Sequence, residues 1–158
     1  MANTQSMCTS FMGELMTATH NFGTAPIRAV TTADTFKAAL YLTSATINAA
    51  STVYTTSGEV SGTNYTAGGV TVTNATPPTA TNSSATAGVA FFTPSASIVY
   101  TTVTLSTAFD CVLIYNNSQS NKAVSAHTFG SQTITAGTFT LTMPSNTTTT
   151  ALLRLATT

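Results

Sequence analysis

The sequence predicts a mainly β protein: an antiparallel β-sandwich or jelly-roll-like barrel with one N-terminal amphipathic helix. Three observations point there. Strand-length runs with alternating apolar residues recur from about residue 34 to residue 156, and turn residues separate them. Threonine fills 38 of the 158 positions, and a β-branched polar side chain suits the solvent face of a pleated strand. Charged residues make up only 5%, against about 25% in ordinary soluble domains, so threonine stands in for the usual shell of Lys and Glu.

Taken in order, Met7, Phe11, Met12, Leu15, Met16 and Thr19 recur at spacings of three and four, which predicts a helix over about residues 6–22. Gly23 and Pro26 stop it, and Thr24 to Thr32 is an irregular or extended connection. Beyond Asp34 the period changes to two, with Phe36, Ala38, Leu40 and Leu42 on one face of a strand. Ala45 to Gly69 carries Gly58, Gly62, Gly68 and Gly69 with weak periodicity and reads as a long surface excursion, with a short helical or bulged piece around Val53 to Val60. Val70 to Thr73 opens a second strand, interrupted by Pro77, Pro78 and a polar loop tip at Thr79 to Ser84. Six short strands follow, at Gly88 to Thr93, Ile98 to Leu105, Phe109 to Tyr115, Ala123 to Phe129, Thr138 to Met143 and Ala151 to Leu155. Asn116-Asn117, Gly130-Ser131 and Ala136-Gly137 supply turns between them. One domain spans residues 1–158, with the β-domain over about 34–156, and a chain of this size can bury roughly two thirds of its unfolded surface.

The formal net charge is zero, and Arg28, Lys37, Lys122 and Arg154 are scattered singly, so no basic patch can neutralise several phosphates and no nucleic-acid partner is expected. A chain without net charge tends to associate with itself, which makes assembly the leading idea. No run of 18 apolar residues crosses a membrane, and MANTQSMCTSFMGELM has neither the basic start nor the apolar core of a secretory signal. The expectation is synthesis in the cytoplasm and no membrane partner. Cys8 and Cys111 sit in different contexts and read as two reduced, packed thiols.

Catalysis would have to be drawn from Glu14, Asp34, Glu59, Asp110, His20 and His127, a thin supply. A Ser125, His127 and Asp110 arrangement lacks a nucleophile turn, and Ser125 and His127 are ordinary neighbours two apart on a strand. Cys8 and His20 are too far apart on the expected helix to share a metal, and no Cys or His pair has zinc spacing, so no catalytic, cofactor or metal site is expected. His20 is placed near the helix C-terminus, against the last carbonyls. EVSGTNYTAGG lacks the Lys of a phosphate loop and reads as turns. Five Asn-x-Ser/Thr triplets are little more than the roughly three that this composition gives by chance, so glycosylation is not inferred. The apolar helix face, with no Lys or Arg opposite it, is core or a docking element, not a membrane-surface helix.

Four ordered segments carry a resemblance: FMGELMTATHNF, DTFKAALYLTSATINAASTVYTTSGEVSGTNYTAGG, DCVLIYNNSQSNKAVSAHTFGSQTITAGTFTLTMP and the final TALLRLA. Together, from about Phe11 to Ala156, they resemble a family of small virion-associated structural proteins of tailed bacteriophages. Thr71 to Ser97 departs from the family pattern, being Pro- and Thr-rich and without tryptophan. The resemblance implies a virion location, either on the head as a decoration or cement protein or on the tail as a connector, adaptor or fibre-associated module that contacts another tail protein or a host surface glycan.

The expected function is therefore non-enzymatic: a capsid decoration or cement protein that stabilises an assembled shell by mass action. Its partners would be further copies of itself, a trimer fitting a local three-fold site, and the major capsid protein or other virion proteins. Candidate subunit contacts are Phe11, Leu15 and Met16 on the helix and Tyr54, Tyr65 and Phe92 in loops.

Overall fold

The structure is a computed structural model that describes residues 3–16, 19–20, 22, 33–75, 78–81 and 88–156. Within them the fold is mainly β, with two antiparallel sheets. In chain order the elements are β1 (Ser6–Met7), α1 (Thr9–Met16), β2 (Phe36–Leu42), β3 (Val70–Val72), β4 (Thr79–Ala80), β5 (Val89–Phe92), β6 (Ile98–Asn116), β7 (Lys122–Leu141) and β8 (Leu153–Ala156). The larger sheet runs β1-β7-β6-β2-β3 and the smaller β4-β5-β8, and neither closes into a barrel.

The N-terminus differs from expectation. A helix over residues 6–22 is not seen, because the sheet edge captures the backbone first. Ser6 and Met7 pair with Ala126 and Ser125 of β7, and the Cys8 amide donates to the Val124 carbonyl. Among the described residues only the eight of α1 are helical. The expected breakers Gly23 and Pro26 and the connection from residue 24 to 32 lie outside the described residues. Upstream, the Asn3 side chain ties the chain start to Leu42 O, Asp110 and the Ile47 amide.

The strand expected at Phe36 to Leu42 forms, hydrogen-bonded between β6 on one side and β3 on the other, and both of its faces are buried from Ala38 to Tyr41. The four strands expected between Ile98 and Met143 are instead two, β6 and β7, of 19 and 20 residues, joined by a turn at Asn117 to Asn121 in which Ser120 and Asn121 have positive φ. Gly130-Ser131 and Ala136-Gly137 are not turns. They lie in stretches where the pairing slips and then recovers: Phe109 opposes Gln132 while Cys111 opposes Thr128, and Val103 opposes Gly137 while Leu105 opposes Ile134. These bulges bend the ribbon. Phe129 and Phe139, ten residues apart on β7, bring their ring centroids within 5.2 Å, whereas a straight strand would hold them about 33 Å apart. The hairpin is therefore folded back on itself, and Phe109, fully buried, touches both rings from inside the corner. Tyr100, on the returning half, reaches β2, where its hydroxyl donates to Ala38 O at 2.8 Å.

The smaller sheet is joined to this body by a seam of aromatic rings. Phe22 stacks on Phe36 of β2 at 4.4 Å and meets Phe92 of β5 at 5.0 Å and Phe11 of α1 at 5.8 Å. Thr79 and Ala80, expected in a loop tip, form the short strand β4 against β5; residues 82–84 of that tip lie outside the described residues.

The stretch from Ala45 to Gly69 is not a loose excursion. Ala45, Ile47 and Val60 are buried, and the segment closes the open side of β2 through Leu42 N to Gly58 O and Val60 N to Leu40 O. All five tyrosines of the chain gather here. The Glu59 carboxylate accepts from the Tyr54 hydroxyl (2.6 Å), the Tyr65 hydroxyl (2.7 Å) and the Gly68 amide (2.7 Å). The Tyr41 hydroxyl donates to Thr55 O and that of Tyr115 to Gly68 O. Burial, with the carboxylate beside them, raises all five phenols, so each stays a protonated donor.

Candidate interaction surface

The six residues read as subunit contacts do not share one surface. Phe11 and Phe92 are 2% and 5% exposed and belong to the aromatic seam, because α1 and β5 turn these rings inward. Tyr54 and Tyr65 have their hydroxyls committed to Glu59. Leu15 is half-buried against the core, and Met16 closes α1, its side chain outside the described part. Three of the six do converge: Phe11, Leu15 and Phe92 line an apolar cleft of about 80 Å³ between α1 and the smaller sheet, with Leu153 and Leu155 on its far wall.

That cleft is one end of a longer band. It shares Met7 and Leu153 with a second cleft, which shares His127 and Leu152 with a third that reaches Ile98, Phe129 and Met143 along the folded hairpin. The C-terminal segment runs beside the whole band, and Leu155 at its end is 42% exposed. The sequence predicts a strand there, Ala151 to Leu155, but none of its leucines is among the candidate contacts. The usable signal was the run of five Leu and Ala residues around the single Arg154, too many apolar positions for one buried face of so short a strand.

The four acids are all engaged within the chain. Besides Glu59, Asp110 accepts from Asn3, Asp34 from Asn116 and Gln119, and Glu14 from Lys122 at 2.6 Å. His20 is not at the carbonyls of the helix end. The described helix runs to Met16, and the imidazole is fully buried, with Nε2 2.7 Å from the Glu14 carboxylate and Nδ1 3.1 Å from Asn116 Nδ2. Cys8 and Cys111 are buried free thiols, pushed up to about 11 and about 12 chiefly by burial. Among the described residues no group of His, Cys, Asp or Glu has the arrangement of a metal site, and no helix is long and apolar enough to cross a membrane.

Ser125 and His127 do share a hydrogen bond of 2.9 Å. Ser125 is 1% exposed, and the carboxylate of Asp110, the third member of such an arrangement, is bonded to Asn3. Burial pushes the imidazole down to about 4, which leaves a feeble base. The folded state thus binds fewer protons at His127 than the unfolded state between about pH 6.5 and 4, so its contribution is complete above that window and lost as pH falls through it. Acidification across this window should cost up to about 3 kcal/mol at this residue. His127→Gln, which keeps the bond to Ser125, should flatten the fall by one proton in denaturant midpoints measured from pH 7 to pH 4.

No known protein family, curated protein or solved structure matches the chain.

Proposed function

We propose that this chain is a non-enzymatic structural subunit of a tailed-phage virion, working as a capsid decoration or cement protein through contacts with copies of itself and with the major capsid protein. One observation carries the reading: all four acids are spent on holding the fold together, so what faces outward is a threonine-covered wall and an apolar band with almost no charge. Such a surface suits close packing against a neighbour, since burying it strands few charges. The bent hairpin and the smaller sheet would make an irregular β-sandwich, rigid enough to bridge subunits. The resemblance of the four sequence segments to virion-associated proteins supports the location, with synthesis in the host cytoplasm before assembly.

The test is the copy number of the chain in purified particles, by quantitative mass spectrometry against the major capsid protein. A ratio near that of the capsid subunit is expected. A ratio of a small fraction would move the protein to the tail, as a connector or fibre-associated module, and absence from particles would overturn the virion reading altogether.

A further inference from the structure

The strongest concentration of ionisable groups outside the Glu59 cluster is a continuous hydrogen-bonded chain that joins α1 to the body of the fold. It runs from Lys122 to Glu14, from Glu14 to His20, from His20 to Asn116, from Asn116 to Asp34 and from Asp34 to Gln119. Its members come from β7, α1, the segment after it, the end of β6, the approach to β2 and the β6–β7 turn. The described polar side-chain contacts from Glu14 and His20 to the sheet run through this one chain.

We propose that the chain is a proton-gated clasp: α1 and His20 stay docked only while the His20 imidazole is neutral, and protonation releases them from the β6–β7 turn. The argument is one of donors and acceptors. A carboxylate only accepts, so His20 carries its proton on Nε2 toward Glu14, and Nδ1 is left as an acceptor for Asn116 Nδ2. Asn116 cannot turn its amide over to accommodate a second imidazole proton. Its Oδ1 already accepts from the amides of Ser118 and Gln119, and its Nδ2 also donates to Asp34. A protonated His20 would point Nδ1–H at an NH₂ group.

It would also place a cation among Phe11, Phe22 and Phe36, whose rings lie 4.8 to 6.3 Å from its own. The charged groups facing His20 among the described residues are Glu14 and Asp34, which favour the cation, and Lys122, which opposes it. Burial outweighs the two acids and holds the imidazole below its ordinary value. Released into solvent, the protonated imidazole is hydrated, which removes the burial cost that opposes the cation in the docked site and favours the undocked state. Release bares the aromatic seam of Phe11, Phe22, Phe36 and Phe92 to a neighbour. The clasp does not depend on the virion reading.

Hydrogen exchange of a peptide spanning α1, corrected for intrinsic rates, tests this between pH 7.5 and pH 4.5. Protection of α1 should fall, by up to tenfold per pH unit, as pH drops below the ordinary imidazole value of 6.5 and level off below the docked ring's lower value, while β2 and β6 stay protected. His20→Phe, which fills the space without titrating, should remove the pH dependence, and His127→Gln should leave it in place. If His20 titrates by NMR while α1 keeps its protection, or if α1 opens with the same midpoint in His20→Phe, the clasp is wrong. An Nδ1–H tautomer in the neutral ring would overturn it as well.

Discussion

Glu59→Ala is expected to destabilise the fold by about 4 kcal/mol, because it strands three donors at once: the hydroxyls of Tyr54 and Tyr65 and the Gly68 amide. Each would lose a short bond to a carboxylate in a place where water cannot fully replace it, at about 1 to 3 kcal/mol apiece. The loss propagates. Tyr65 also accepts from the Leu40 amide, and Tyr54 stacks on Tyr115 at 4.7 Å, so the segment that closes the side of β2 loosens from both ends. Glu59→Gln should cost only about 1 to 2 kcal/mol, since its carbonyl oxygen can still serve Tyr65 and Gly68 while its NH₂ group donates to the Tyr54 oxygen. The chain has no tryptophan and every tyrosine lies in this cluster, so tyrosine fluorescence during denaturant unfolding reads the site directly. An alanine variant within 1 kcal/mol of the wild type would show that the cluster is decoration on a fold held elsewhere.

What could be read in advance follows from what is local. The strand carrying Phe36, Ala38 and Leu40 appears where expected, but its other face is covered as well, Ala39 and Tyr41 being fully buried. The same logic found the inward faces of β6 and β7 but divided each strand in two. Gly130-Ser131 and Ala136-Gly137 look like turns because a bulge and a turn ask for the same residues: Gly, or a position that tolerates the positive φ seen at Ala136. Only the partner strand distinguishes them, and the pairing of Gly137 with Val103 is 34 positions distant in sequence.

The candidate surface was less legible for a related reason. Tyr54 and Tyr65 lie among glycines, which suggests exposure, yet the lone Glu59 between them is what folds them in. A single carboxylate in an otherwise uncharged stretch, flanked by tyrosines five and six positions away, was the available clue. The expectation for His20 rests on a helix that runs as far as residue 22. Once β1 takes Ser6 and Met7 into the sheet, the helix is short and the imidazole bonds side chains instead of carbonyls.

Among the glycines whose surroundings are described, Gly69→Ala should be the most damaging substitution, costing about 4 kcal/mol or more. The residue has φ +72°, and a Cβ built there would lie 1.7 Å from Ala38 O. That oxygen cannot retreat, because it accepts from Tyr100 on the returning half of the hairpin and belongs to the residue that pairs with Val70. Either β3 detaches from β2 or the Tyr100 bond breaks, and in both cases the turn that brings Gly68 to Glu59 is lost. Gly130→Ala is the matched comparison: a Cβ there meets nothing within 4 Å, and its φ is not in the left-handed region. Adding a methyl at that bulge should leave stability unchanged or raise it by up to about 1 kcal/mol, through the smaller entropy of the unfolded chain. Denaturant unfolding of the two variants side by side separates close backbone approach from glycine content. Equal losses in both would mean that Gly69 acts through flexibility and not through the contact with Ala38.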